Sequence, residues 1–217
     1  MNLLKKFISV LMTVIIIISS FSVFAFAEEA ERKKEEEENE IVATVYVCQK
    51  ARLHYMSGHT WLYFKNLTNH SITVGIYEVP KGQAVSVGTF GFSIKDGRGL
   101  YYNVEGFRYN HPKTDDFVCL KKNLTVKQLR TMSSTITRSG VWSYLLNCSF
   151  SAFMIWDSVI GKFLPYLILP PLARLCILMY PQHEKGFILY SPKMDQIFKQ
   201  KGMGKKAYLV PADPSSK

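Results

Sequence analysis

The first 27 residues constrain this chain more than any other stretch. Lys5 and Lys6 give a positive start, Phe7 to Phe24 is almost wholly apolar with Ile15-Ile16-Ile17-Ile18 at its centre, and Ala25-Phe26-Ala27 supplies the small-x-small pattern that a signal peptidase cuts. Residues 1–27 are therefore expected to be a signal peptide. The body is expected to work outside the cytoplasm, secreted or at the cell surface on the extracellular side of a bacterial membrane. Retention of the apolar run as an uncleaved anchor is the alternative.

Residues 28–40, EEAERKKEEEENE, offer no apolar face and read as an acidic solvated spacer, disordered or weakly helical. The whole chain has a formal charge of +10, to which residues 1–27 contribute +2 and residues 28–40 contribute −5, so residues 41–217 carry +13. A basic exported body is drawn to anionic polymers, such as wall polymer, acidic glycan or an anionic membrane surface. No pattern of stacking aromatics and basic residues specifies nucleic acid, and no nucleic-acid partner is expected. Among the four cysteines there is no C-x-x-C pair, and the five histidines lack an H-E-x-x-H or similar spacing. No metal and no cofactor are expected. Two disulfides or several plain buried thiols are both compatible with the sequence.

Within the body, the first half is rich in strand signals. Ile41–Cys48, Thr60–Asn66, Ser71–Val79, Ala84–Phe90 and Leu100–Glu105 alternate or are β-branched, with turns at Pro80-Lys81-Gly82 and Asp96-Gly97-Arg98-Gly99. Thr60–Asn66 and Ser71–Val79 flank a short polar link and read as a hairpin. The second half turns helical. Leu124-Thr125-Val126-Lys127-Gln128-Leu129 carries a capping box and a hydrophobic staple and opens a helix that should stop near Gly140. A second helix is expected from Cys148 to Ile160, capped by Asn147, ended by Gly161 and facing the core with Ala152, Phe153, Trp156, Val159 and Ile160. A third is expected from Pro171 to about Met179. Beyond Pro181 only Phe187–Tyr190 and Ala207–Val210 read as short strands. The expected class is α+β, an antiparallel sheet of about five strands packed against a few helices. The domain spans 41–180, and 181–217 forms a basic C-terminal extension.

Chemistry points to Cys148. At the first turn of a helix, free amides and the helix dipole favour a thiolate. A thiol nucleophile needs a base, and His59, at the mouth of the strand Thr60–Asn66, is the best placed. His54 lies in a less defined segment, His70 in the hairpin link, His111 before a proline and His183 in the weak C-terminal region. Trp61, Trp142 and Trp156 read as core residues. Asp115-Asp116 reads as an exposed loop, with no second carboxylate to make a glycosidase pair.

Gly58-His59-Thr60-Trp61-Leu62, followed some 90 residues later by Asn147-Cys148-Ser149-Phe150-Ser151-Ala152-Phe153, resembles the permuted NlpC-like branch of papain-like cysteine hydrolases, to which lecithin–retinol acyltransferase-like enzymes also belong. Gly75-Ile76-Tyr77 and Val87-Gly88-Thr89-Phe90-Gly91 look like segments of its exported Gram-positive members. The resemblance covers roughly residues 55–160. It implies a papain-like permuted fold, with His59 before Cys148 in the chain, and a third polar residue that orients the histidine from the strand paired with it. If Asn66 faces Ser71, the register sets Glu78 opposite His59, and a slip of one or two residues offers Tyr77 or Ile76 instead. The oxyanion site would use the backbone amide of Cys148 and a neighbour. The expected function is that of an exported thiol hydrolase acting on cell-wall peptide, or on another amide or ester, through Cys148, His59 and Glu78. The alternative is a non-catalytic surface module of the same fold that binds anionic wall polymer.

Overall fold

The computed structural model describes residues 29, 31–52, 57–109, 117–161, 169–186 and 189–215. The expected signal peptide lies outside the described residues, as do Asp115-Asp116, His54 and His111. Two compact units divide the chain at residue 40. In the first, residues 31–39 form helix α1, an exposed helix braced by i, i+4 pairs between Arg32 and Glu36 and between Lys33 and Glu29. The acidic spacer is helical where described.

The second unit is α+β, built on an eight-stranded antiparallel sheet. In chain order its elements are β1 (Ile41–Arg52), β2 (Ser57–Asn66), β3 (Ile72–Val74), β4 (Tyr77–Val79), β5 (Ala84–Phe90), β6 (Gly99–Tyr102), α2 (Val104–Tyr109), β7 (Phe117–Thr125), α3 (Val126–Arg138), α4 (Cys148–Ile160), α5 (Pro170–Leu178), β8 (Glu184–Lys185), β9 (Phe198–Lys201) and β10 (Tyr208–Pro211). The sheet runs β10-β9-β6-β5-β2-β1-β7-β8, while β3 and β4 form a separate two-stranded ribbon. The sheet is larger than expected because β7 pairs along β1 and because residues after 181 supply β8, β9 and β10. The expected C-terminal extension is thus part of the sheet.

Alternation along the strands sorts the core into two faces. Val45 and Val47 of β1, Leu62 and Phe64 of β2, and Val85 and Val87 of β5 pack with Met132, Ile136, Phe153, Trp156 and Ile177 of the helices. Cys48, Trp61, Tyr63, Phe117 and Cys119 line the opposite face. Trp61 and Trp156 are core residues, as expected, whereas Trp142 is partly exposed.

One expected pairing is corrected. β2 does not form a hairpin with residues 71–79; it lies between β1 and β5, with Trp61 opposite Gly88. The cause is Asn66. Its buried amide nitrogen donates to the carbonyls of His70 (2.7 Å), Val79 (3.0 Å) and Pro80 (3.1 Å), and its oxygen accepts from the Thr68 amide and hydroxyl (both 2.8 Å). These bonds close the segment into a loop, and within it Gly75, at φ +62, turns the chain so that β3 and β4 pair only with each other.

Candidate active site

Cys148 opens α4. Asn147 caps the helix with its side-chain oxygen, which accepts from the amides of Ser149 (3.0 Å) and Phe150 (3.2 Å). A second tie fixes the helix start against β2, where the hydroxyls of Thr60 and Ser149 meet at 2.7 Å, both buried. The next residue back along β2 is His59, opposite Lys50 of β1. The structure therefore brings His59 and Cys148 together, and the Cys148 thiol interacts directly with the His59 ring and with the Thr60 backbone amide.

The carboxylate on His59 is Glu105. Its Oε1 lies 2.7 Å from His59 Nε2, and its Oε2 accepts from the Ser86 hydroxyl at 2.7 Å. Glu105 is fully buried, and Ser86 also receives the amide of Gly106 at 3.5 Å. Gly88 of β5 makes room for this pair: a Cβ there would run into the Glu105 carboxylate and stand 3.0 Å from His59 Nε2. Aromatic rings close the rest of the shell, with Phe90 at 4.2 Å, Trp61 at 5.7 Å and Tyr109 at 6.3 Å from the His59 ring centroid.

This corrects the expected third residue. Glu78 is exposed on β4, opposite Thr73 in the small ribbon, and does not face His59. Tyr77 does not face it either; it stacks on Tyr102 at 5.6 Å. Glu105 belonged to an expected strand, Leu100–Glu105. That strand stops at Tyr102 because Asn103 takes a left-handed conformation (φ 69), and the chain turns into the six-residue helix α2. A single acidic residue in the otherwise uncharged stretch Gly99–Phe107 was the available sign of a buried, partnered carboxylate.

Electrostatics couple the three residues. For His59, burial is the largest influence and opposes charge; the contacts with Cys148 and Glu105 together outweigh it and raise the imidazole to about 9. For Cys148, burial is again the largest influence and favours the thiol; contacts with His59, the Thr60 amide and Ser149 outweigh it and lower the thiol below its ordinary value. Both directions favour a thiolate–imidazolium pair. The amides of Ser149 and Phe150 are occupied by Asn147, which removes them as oxyanion donors.

A cleft of about 350 Å³ opens on the His59 side, lined by Lys50, Gly58, His59, Phe90, Ser93, Arg108 and Tyr109. Cys148 is 9% exposed. Among the described residues no group of three His, Cys, Asp or Glu side chains could hold a metal ion, and no helix is long and apolar enough to cross a membrane. In comparisons with known proteins, no family model, no curated protein and no solved structure matches this chain.

Proposed function

We propose that the chain is an exported thiol hydrolase of the permuted papain-like kind, with Cys148 as nucleophile, His59 as base and acid, and Glu105 as the residue that orients and charges His59. The supporting observation is geometric: the buried Glu105 carboxylate holds His59 Nε2 at 2.7 Å, and the Thr60–Ser149 hydroxyl contact at 2.7 Å fixes the head of α4, with Cys148, beside that histidine. The Cys148 thiolate attacks an amide or ester carbonyl, forming the S–C bond and placing charge on the carbonyl oxygen. His59 gives its proton to the leaving nitrogen or oxygen as the C–N or C–O bond breaks. A water then attacks the thioester, His59 takes its proton, and the acid product leaves with Cys148 restored.

The cleft beside His59 carries Lys50 and Arg108 on its wall, which suits a substrate bearing carboxylates, such as cell-wall peptide. Export and a cell-surface location rest on the first 27 residues. The order of histidine strand before cysteine helix agrees with the family resemblance in the sequence. A thiol-reactive reagent tests the reading. Selective, pH-dependent labelling of Cys148 that is lost in His59→Ala supports the hydrolase. Equal, ordinary reactivity in both proteins returns the chain to the alternative, a non-catalytic module that binds anionic wall polymer through its positive charge.

A further inference from the structure

Between the end of α3 and Cys148 runs a short loop of unusual composition, Val141-Trp142-Ser143-Tyr144-Leu145-Leu146. A tight turn closes it. The Ser143 amide donates to the Leu146 carbonyl at 3.2 Å, and the Leu146 amide donates to the Ser143 hydroxyl at 2.9 Å. The turn puts Tyr144 and Leu145 at its tip, where glycine, asparagine or aspartate is usual. They are 77% and 67% exposed, with Val141 at 57% and Phe92 of a neighbouring loop at 48%. The loop is held in this shape. The Trp142 ring meets Phe92 at 5.7 Å and Tyr144 at 5.6 Å, and it lies so close on Gly91 that a Cβ there would come within 2.5 Å of it.

A cation sits on the patch and two more follow in a segment that touches its base. Arg98, itself exposed, stands 4.3 Å over the Phe92 ring. Gly140, the residue before the loop, abuts Met203, whose side chain lies 3.7 Å from a Cβ built at Gly140, and the exposed Lys205 and Lys206 follow Met203 two and three residues on. Exposed aromatic and aliphatic side chains at a turn tip, with Arg on the patch and Lys in the adjoining segment, are what an interfacial contact with an anionic bilayer requires. Trp and Tyr settle at the headgroup level and leucine enters the acyl boundary. A second copy of this chain fits the same patch less well, because a body of +13 repels itself while an anionic surface attracts it.

We propose that residues 141–146 together with Phe92 form a docking surface for an anionic lipid bilayer, with Arg98, Lys205 and Lys206 meeting the headgroups. This goes beyond the hydrolase reading and stands without it. It places the head of α4, and Cys148 with it, next to the membrane.

Trp142 is a local reporter, because Trp61 and Trp156 are 0% and 2% exposed. The full chain is mixed with vesicles of phosphatidylglycerol and phosphatidylcholine carrying brominated acyl chains, and tryptophan fluorescence is followed. The expected result is quenching that disappears in Trp142→Phe. In the double variant Tyr144→Ser/Leu145→Ser the partition weakens by roughly tenfold or more, the loss expected when large apolar side chains are no longer buried. In Arg98→Gln/Lys205→Gln/Lys206→Gln the quenching falls on anionic vesicles. The proposal is overturned if the chain sediments with vesicles while Trp142 stays unquenched, since the first 27 residues alone would then hold it. It is also overturned by equal quenching on pure phosphatidylcholine, or by shielding of Trp142 that depends on protein concentration and accompanies a doubling of mass.

Discussion

The carboxylate of Glu105 holds His59 Nε2 at 2.7 Å with one oxygen and the Ser86 hydroxyl at 2.7 Å with the other, so neither oxygen is left without a partner. A buried opposite charge stabilises a charged neighbour by about one to three pKa units. Glu105→Gln should therefore lower the His59 pKa from about 9 and, because the imidazolium beside it is then weaker, let the Cys148 thiol rise. The measurement is the rate of Cys148 alkylation against pH. The variant's profile should move to higher pH. An unchanged profile would mean that Glu105 is structural only.

Hydrolysis should follow a bell in pH. Attack needs the Cys148 thiolate, whose pKa is lowered, so the acid limb falls as pH drops through that lowered value. Departure of the leaving group needs the His59 proton, so the alkaline limb falls as pH rises through about 9. The two limbs belong to the coupled pair. Rates of a chromogenic ester across the pH range check this, and activity that keeps climbing well above pH 9 counts against His59 as the acid.

Gly88 offers a test that leaves all three polar residues in place. In Gly88→Ala the new methyl group collides with the Glu105 carboxylate and comes 3.0 Å from His59 Nε2, and the neighbouring backbone strand cannot yield freely. Overpacking of this kind costs about 1–3 kcal/mol. The variant should melt earlier and lose the neutral-pH reactivity of Cys148. Thermal unfolding and alkylation read the two effects separately. Wild-type reactivity in a destabilised variant would show that the pair tolerates displacement.

The helices were legible because their signals are local. Thr125 and Gln128 form the capping box in the structure, and Asn147 caps α4, which spans the expected Cys148–Ile160. The link between His59 and Cys148 was legible as chemistry, from a strand-end imidazole and a helix-head thiol. Glu105 was not, because its role depends on β5 lying beside β2, and that pairing follows from the Asn66 hydrogen bonds, which pull residues 66–80 into a loop. β7 was missed for a different reason: Lys121, Lys122 and Asn123 are exposed and break the apolar alternation, and the strand is held by its long pairing with β1. β9 falls mostly within Lys199–Lys206, which reads as a loop until the pairing of Phe198–Lys201 with β10 and β6 is known.

The cysteines should separate by reactivity. Cys48 and Cys119 face each other across β1 and β7, 2.8 Å apart at sulfur and fully buried. Burial, then the bond to Cys119, pushes the Cys48 thiol well above its ordinary value. Cys176 is half-buried and raised by burial alone. In the folded, reduced protein at neutral pH, iodoacetamide should label Cys148 first, with Cys48 and Cys119 labelled only after unfolding. Peptide mapping over time gives the order. Labelling of Cys48 as fast as Cys148 would contradict the thiolate assignment.

Among the described residues Gln49 is the core side chain with both polar atoms unpartnered. It lies on β1 opposite Thr60 and Val118, is fully buried, and neither its amide nitrogen nor its oxygen has a partner among the described residues. A buried polar group without partners costs about 1–3 kcal/mol, and an apolar side chain of similar shape removes that cost. Gln49→Met should therefore stabilise the fold by about that amount and raise the melting temperature by roughly 2–4 °C per kcal/mol, the scaling for a domain of this size. Gln49 adjoins Thr60, whose hydroxyl holds the start of α4 and whose amide contacts Cys148, so the same variant also reads function. Higher stability with unchanged turnover identifies Gln49 as a tolerated defect of packing. Higher stability with lost turnover makes Gln49 a residue that positions Thr60 and the start of α4, and lower stability counts against the cost assigned to its buried amide.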